Sequence, residues 1–198
     1  METFGDSWRS HLPQSLLLNV PANPITIVER ILKNSTHSPL TSSCGRLFDA
    51  VAALACRRMF VNYEAQAAIE LETCCDQRSD LGSYRFTISG DSCTQIATES
   101  LFHDLTTDLL GRVAPGILSR RFHTGLIDVI AAVILRMAHR SGLETVCLSG
   151  GSFQNAILSE GLKHKLEAAG MSVFTHNRVP PGDGGLILGQ LVVAANRV

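Results

Sequence analysis

The sequence predicts an α/β fold with a small sheet and a helix-rich middle, and three observations carry that prediction. Toward the C-terminal end, strand-like and helix-like stretches alternate: Thr145 to Leu148, Ala156 to Ala169, Met171 to Thr175 and Leu186 to Asn196. The middle carries long runs with apolar residues at helical spacing and few strand signals. With 198 residues, 45% of them hydrophobic and 18% charged, the chain can bury a sizeable core.

Residues 1–24 carry only one apolar clump, Leu16 to Leu18, and are left unassigned. Asn23-Pro24 then reads as an N-cap and a first-turn proline, with Ile25, Val28, Ile31 and Leu32 repeating at helical spacing behind it. The polar run THSPLTSSCGR is a turn opening a second helix with Leu47, Phe48, Val51, Ala52 and Leu54. Phe60-Val61 reads as a short extended link, and Tyr63 to Thr73 as a helix built from strong helix formers. Tyr84, Phe86 and Ile88 alternate with Arg85 and Thr87 between two glycines, which is a strand signal. Glu99 to Arg112 is a helix with Leu101, Leu105 and Leu109 on one face. Gly116 to Arg140 is a long apolar helix, buried and closed by Gly142. VPPGDGG is a loop before the last helix.

Composition narrows the function classes. A formal charge of −1 gives no footprint for nucleic acid or an acidic membrane. No apolar run reads as long enough to span a bilayer, and the N-terminus lacks the basic start and apolar core of a secretory signal. The six cysteines form no C-x-x-C pair and read as reduced thiols of a cytoplasmic protein. The vicinal Cys74-Cys75 is compatible with redox or metal chemistry and is read as inert. Seven histidines include no H-E-x-x-H, so a zinc site is not built from this chain alone.

Two glycine-rich turns and one helical aspartate remain. Gly150 and Gly151, in SGGSFQN, follow a strand and precede a helix. Without Cβ atoms, such a turn lets a phosphate approach main-chain N–H groups near a helix N-terminus. Ser149, Ser152 and Asn155 could add polar groups, and an ordinary tight connection explains the same residues. In RVPPGDGG, Asp183 stands among glycines, either as a hard oxygen ligand for a divalent cation or as an aspartate bonded to its own backbone. Asp49, among Leu47, Phe48, Val51 and Ala52, lies either at the edge of a buried face or near a ligand.

Taken together, SGGSFQN, VPPGDGGLILGQ, TSSCGRLFDAVAAL and YEAQAAIELE closely resemble the C-terminal part of the HypF carbamoyltransferases, which mature [NiFe] hydrogenases. The resemblance covers residues 25–198. It implies a TsaD-like domain and, more distantly, a lobe of the actin, sugar-kinase and heat-shock ATPase (ASKHA) fold, with a small mixed sheet and a helix-rich insertion. It also implies a reaction: carbamoyl phosphate and ATP give carbamoyl-adenylate, and the carbamoyl group passes to the C-terminal cysteine of HypE. By that resemblance Gly150, Gly151 and Asn155 face the adenylate, Asp49 lies near the ribose, and Asp183 ligates the metal. Tyr63-Glu64-Ala65 falls where the family packs a loop against the sugar, which makes Glu64 a nucleotide-site residue. Many relatives have glycine where this chain has Ala65.

The implied ligands are therefore ATP or carbamoyl-adenylate and a divalent metal completed by residues outside this chain. The implied partners are HypE and the remaining N-terminal portion of HypF, with no nucleic acid and no membrane. The family's pair of metal-binding histidines and its other segments are missing, so the chain reads as a C-terminal fragment or split-gene product that is inactive alone. A non-catalytic nucleotide-binding or HypE-docking module is the alternative. A TsaD-like tRNA threonylcarbamoyltransferase relative ranks lower, because the YEAQAAIELE block and the Phe and Gln of GGSFQN match HypF.

Overall fold

A computed structural model describes residues 3–18, 22–34, 38–78, 80–90 and 93–196. The chain divides into two compact units. The first comprises Met1–Leu81 with Thr98–Arg120, and the second Gly82–Ala97 with Arg121–Val198.

The first unit is helical. A 3₁₀ turn, Gly5–His11, and a short helix α1, Gln14–Leu17, occupy the segment that the sequence left unassigned. Helix α2 spans Ala22–Asn34, so Asn23 falls within the helix and not ahead of it. Glu29 on α2 accepts from Trp8 Nε1 at 3.2 Å and pairs with Arg9 at 2.7 Å. Residues 36–37, the start of the predicted polar turn, lie outside the described residues.

Helix α3, Cys44–Ala55, starts at Ser43, whose hydroxyl accepts from the Arg46 N–H. Phe48, Val51, Ala52 and Ala55 form its buried stripe, which is the i, i+3, i+4, i+7 spacing of an amphipathic helix. Helix α4 spans Gln66–Thr73 and buries Ala67 and Leu71. It begins three residues later than the pattern suggests because Ala65 is left-handed, at φ 60°, and interrupts the helical path. Helix α5, Glu99–Leu110, buries Leu101 and Leu105 as its periodicity demands.

Helix α6, Pro115–Ser141, runs from the first unit into the second. Among the described residues this helix alone is long and apolar enough to cross a membrane, by length and composition, contrary to the sequence expectation. Several of its apolar residues lie in the cores. Leu118 and Ser119 are buried in the first unit, and Phe122, His123, Leu126 and Ala131 in the second. Arg120, Arg121, Asp128, Arg136, His139 and Arg140 stand along the same helix.

The second unit holds both sheets, each of two strands. Strands β1, Thr87–Ser89, and β2, Gln95–Ala97, pair antiparallel with Ile88 opposite Ile96. The paired segment starts later than the Tyr84–Ile88 alternation, and Tyr84 is buried, donating its N–H to the Arg121 carbonyl. Strands β3, Thr145–Leu148, and β4, Ser172–Thr175, pair in parallel across helix α7, Ala156–Ala168. This is the β-α-β order that the sequence shows. The expected single mixed sheet is thus two separate sheets among the described residues, one antiparallel and one parallel. Ala131, Leu148, Leu162, Leu166 and Met171 make the core beneath β3 and β4.

Helix α8, Asp183–Ala195, starts earlier than predicted, and Asp183 occupies its first turn. A carboxylate there suits the positive end of the helix dipole. None of its residues is buried, and Leu186, Ile187, Leu188, Leu191, Val192 and Val193 are 46–62% exposed.

Candidate functional site

The six predicted site residues fall into two groups. Asp49 and Glu64 belong to the first unit, and Gly150, Gly151, Asn155 and Asp183 to the second.

In the first unit, α3 carries Asp49 one turn after Arg46, and the two pair at 2.9 Å. Asp49 and Glu64 line one cavity of about 680 Å³, with Arg46, Arg58, Asn62 and Gln66 among the polar side chains around it. Arg58 Nε donates to Glu70 at 2.6 Å, and Gln66 Nε2 donates to the other Glu70 oxygen at 2.9 Å. These two donors hold the Glu70 carboxyl below the usual carboxylate range. Gln66 in turn accepts from the Asn62 N–H at 2.7 Å, which fixes the loop bearing Glu64. The structure therefore brings Asp49 and Glu64 to one polar recess.

In the second unit, both glycine turns leave the carboxyl ends of the parallel strands, the edge where ligands of open α/β sheets bind. Gly150 has φ 112°, a conformation that only glycine adopts readily. Its N–H donates to the Pro181 carbonyl at 2.9 Å, tying the first turn to the second. Gly182 lies so close that a Cβ there would stand 2.9 Å from Gln154 Nε2 and 3.6 Å from the Gly151 Cα. A Cβ on Gly151 would meet nothing within 4 Å, so its backbone faces open space. The two turns predicted from separate stretches of sequence are neighbours.

Asn155 has a different place. It is 8% exposed, its Oδ1 accepts from the Leu158 N–H at 2.8 Å, and it caps α7. Its Nδ2 donates at 3.1 Å to Nε2 of His123, which is fully buried. An amide nitrogen has no lone pair to offer, so this contact sets the His123 tautomer with its proton on Nδ1. Both ends of the Asn155 side chain are thus satisfied within the protein. These two contacts are reason enough for an asparagine here, apart from any ligand.

Asp183 is exposed at the start of α8. Among the described residues no group of three or more histidine, cysteine, aspartate or glutamate side chains could hold a metal. One carboxylate supplies too few donors, so these residues do not by themselves fit a divalent ion.

One polar pair went unpredicted. His176 Nε2 and Ser149 Oγ lie 2.8 Å apart, both exposed, directly beyond the last paired residues of β3 and β4. The register Leu148 opposite Thr175 makes Ser149 and His176 the next facing pair. A parallel pairing in the sequence reading would have found it.

Comparison with known proteins gives the context of this geometry. Residues 5–190 match the family described as carbamoyltransferase, Kae1-like domain, second subdomain. Carbamoyltransferase HypF2 of Cupriavidus necator is 33% identical over 86% of this chain and 24% of its own length. Carbamoyltransferase HypF of Rhodobacter capsulatus is 34% identical over 90% of this chain and 23% of its own. A crystal structure of full-length HypF in a phosphate- and nucleotide-bound form superposes with a TM-score of 0.83 at 31% identity, over 91% of this chain and 24% of that one. The chain spans about a quarter of the length of these relatives. Its α/β architecture of small sheets and many helices is that of HypF, and the chain belongs to the HypF carbamoyltransferase family through the second subdomain of the Kae1-like domain.

Proposed function

We propose that this chain is the second, ASKHA-type lobe of a HypF-type carbamoyltransferase of the cytoplasm. It works in the step that moves a carbamoyl group from carbamoyl-adenylate to the C-terminal cysteine of HypE, in [NiFe] hydrogenase maturation. The observation that carries the reading is the junction of the two glycine turns, where Gly150 N–H meets the Pro181 carbonyl beside the open Gly151 backbone. Main-chain groups there can approach the phosphate of an adenylate without steric cover. Ser149 and His176 add an exposed hydroxyl and imidazole at the same edge. In the first unit by itself, Asp49 and Glu64 line a polar recess of a kind that accepts a ribose. Asn155 acts by holding the start of α7, and so the shape of the first turn.

Asp183 would contribute one oxygen to a divalent ion whose other ligands come from outside the described residues. The attacking group is the thiolate of HypE, so none of the six cysteines in this chain has to be the nucleophile. With no complete metal site among the described residues, the chain alone does not turn over and depends on the rest of a HypF polypeptide. The same lack favours, as a second reading, a nucleotide-binding or HypE-docking module without chemistry of its own.

Calorimetry of ATP binding to this chain, with and without divalent metal, is the test. Binding should appear, weaken when Gly151→Val places a branched side chain at the turn, and lose any metal dependence in Asp183→Ala. Equal affinity in wild type and Gly151→Val would remove the glycine junction from the nucleotide site. Turnover with HypE, carbamoyl phosphate and ATP by this chain alone would overturn the dependence on the rest of HypF.

A further inference from the structure

Cys56 and Cys74 are eighteen positions apart in sequence, and their sulfurs lie 3.6 Å apart. Each is the C-cap residue of its helix, Cys56 of α3 and Cys74 of α4, so the two helix ends set the distance. Cys74 is exposed and Cys56 half-buried, and both are free thiols. From this juxtaposition we infer that Cys56 and Cys74 form a redox-active dithiol that a hydroperoxide converts to an intramolecular disulfide. The vicinal neighbour, Cys75, is buried, and its thiol is engaged with the Asp76 carbonyl at 3.7 Å.

The chemistry balances in two steps. A peroxide oxygen is transferred to the Cys74 sulfur, the O–O bond breaks, and water or an alcohol leaves. The Cys56 sulfur then attacks the Cys74 sulfenic acid. The S–S bond forms, the S–O bond breaks, and the hydroxyl departs as water with the Cys56 proton. Two thiols are oxidised by two electrons and one peroxide is reduced by two. The order follows from accessibility, since Cys74 is the sulfur that solvent reaches. Burial first, then the neighbouring Cys74 and Glu70, push the Cys56 thiol up, with Arg58 acting the other way.

The bridge would close the segment between α3 and α4, which carries Arg58, Glu64 and Ala65. This inference does not depend on the carbamoyl chemistry.

The experiment treats the full chain, dilute and natively folded, with limiting hydrogen peroxide and maps peptides by mass spectrometry without reduction. The expected product is an intramolecular Cys56–Cys74 link, with loss of two thiols of the six and full recovery by dithiothreitol. Cys56→Ser should leave Cys74 as a sulfenic acid that dimedone captures, and Cys75→Ser should still form the bridge. A Cys74–Cys75 link, a link between chains, or a sulfinic acid on Cys74 with Cys56 still a thiol would each overturn the assignment. The wild-type map decides the matter even if a serine variant fails to fold.

Discussion

Replacing Ala65 with glycine should stabilise the chain, and the backbone supplies the magnitude. Ala65 caps α4 at φ 60° and ψ 7°, with its side chain exposed and no side-chain cap hydrogen bond. An L-residue in this region costs about 1–2 kcal/mol, because its Cβ crowds the following carbonyl oxygen. Glycine removes that cost but adds freedom to the unfolded chain worth roughly 0.4–1 kcal/mol. The difference leaves Ala65→Gly more stable by about 0.5–1 kcal/mol, and exposure means that losing the methyl gives up little buried surface. Ala68, inside α4, is the control: the same substitution there should destabilise by about 1 kcal/mol, since a helical residue gains nothing from glycine. Urea unfolding followed by far-UV circular dichroism reads both as shifts of the midpoint at constant slope. If Ala65→Gly shifts the midpoint down as Ala68→Gly does, the left-handed cap is not strained and the reasoning fails.

Asn155→Ala should cost about 1 kcal/mol for the lost cap and roughly 1–3 kcal/mol more for the orphaned His123 nitrogen, measured by denaturant unfolding. Asn155→Asp keeps the capping oxygen but loses the N–H donor, so it should fall between the two. Gly185→Ala should perturb the second turn, because its Cβ would run into the Pro180 carbonyl oxygen, whereas Gly151→Ala should fold unchanged. Near-ultraviolet circular dichroism of the two variants separates them. Asp76 is held down to about 2 by hydrogen bonds from the Arg78 side chain and backbone. A depressed carboxyl contributes above its unfolded pKa of about 3.9 and loses its contribution as pH falls toward about 2. Asp76→Asn should therefore flatten the fall in stability across that acid window. Finally, α8 exposes six large apolar residues, so the isolated chain should self-associate in sedimentation runs, and a Leu186→Glu, Leu191→Glu double variant should remain monomeric.

Local chemistry decided which elements could be read from sequence. The β3-α7-β4 unit is legible because hydrophobic period 2 gives way to period 3.6 at a glycine turn, and Gly170 closes α7 at φ 87°. Strand β2 was not, because Gln95–Ala97 is three residues long and shows no alternation to detect. Helix α4 was read three residues too long because nothing about an alanine in sequence announces a left-handed backbone. Asn155 shows the limit for the site. Asn-x-x-Leu before an apolar helix fits an N-cap as well as a ligand contact, and the cap shows only in the Leu158 N–H bond to Asn155 Oδ1. The Ser149–His176 pair depends on a strand register, which alternation alone does not fix when both strands are short.

The exposed α8 bears on why the site is incomplete. A helix with apolar residues on several faces is normally surrounded, and here none of its residues is buried. The same helix begins with Asp183, next to the joined glycine turns. Any polypeptide that covered the apolar faces of α8 would sit on the helix that presents the candidate metal carboxylate. A polypeptide seated there could bring the donors that Asp183 lacks and exclude water from the glycine junction in one docking event. Hydrophobic burial would then supply the binding energy, at about 25 cal/mol per Å² of apolar surface, while the charged groups would supply the chemistry. On that logic, polar substitutions on α8 far from Asp183 should weaken nucleotide retention in the assembled protein, while leaving unchanged whatever nucleotide this chain binds by itself.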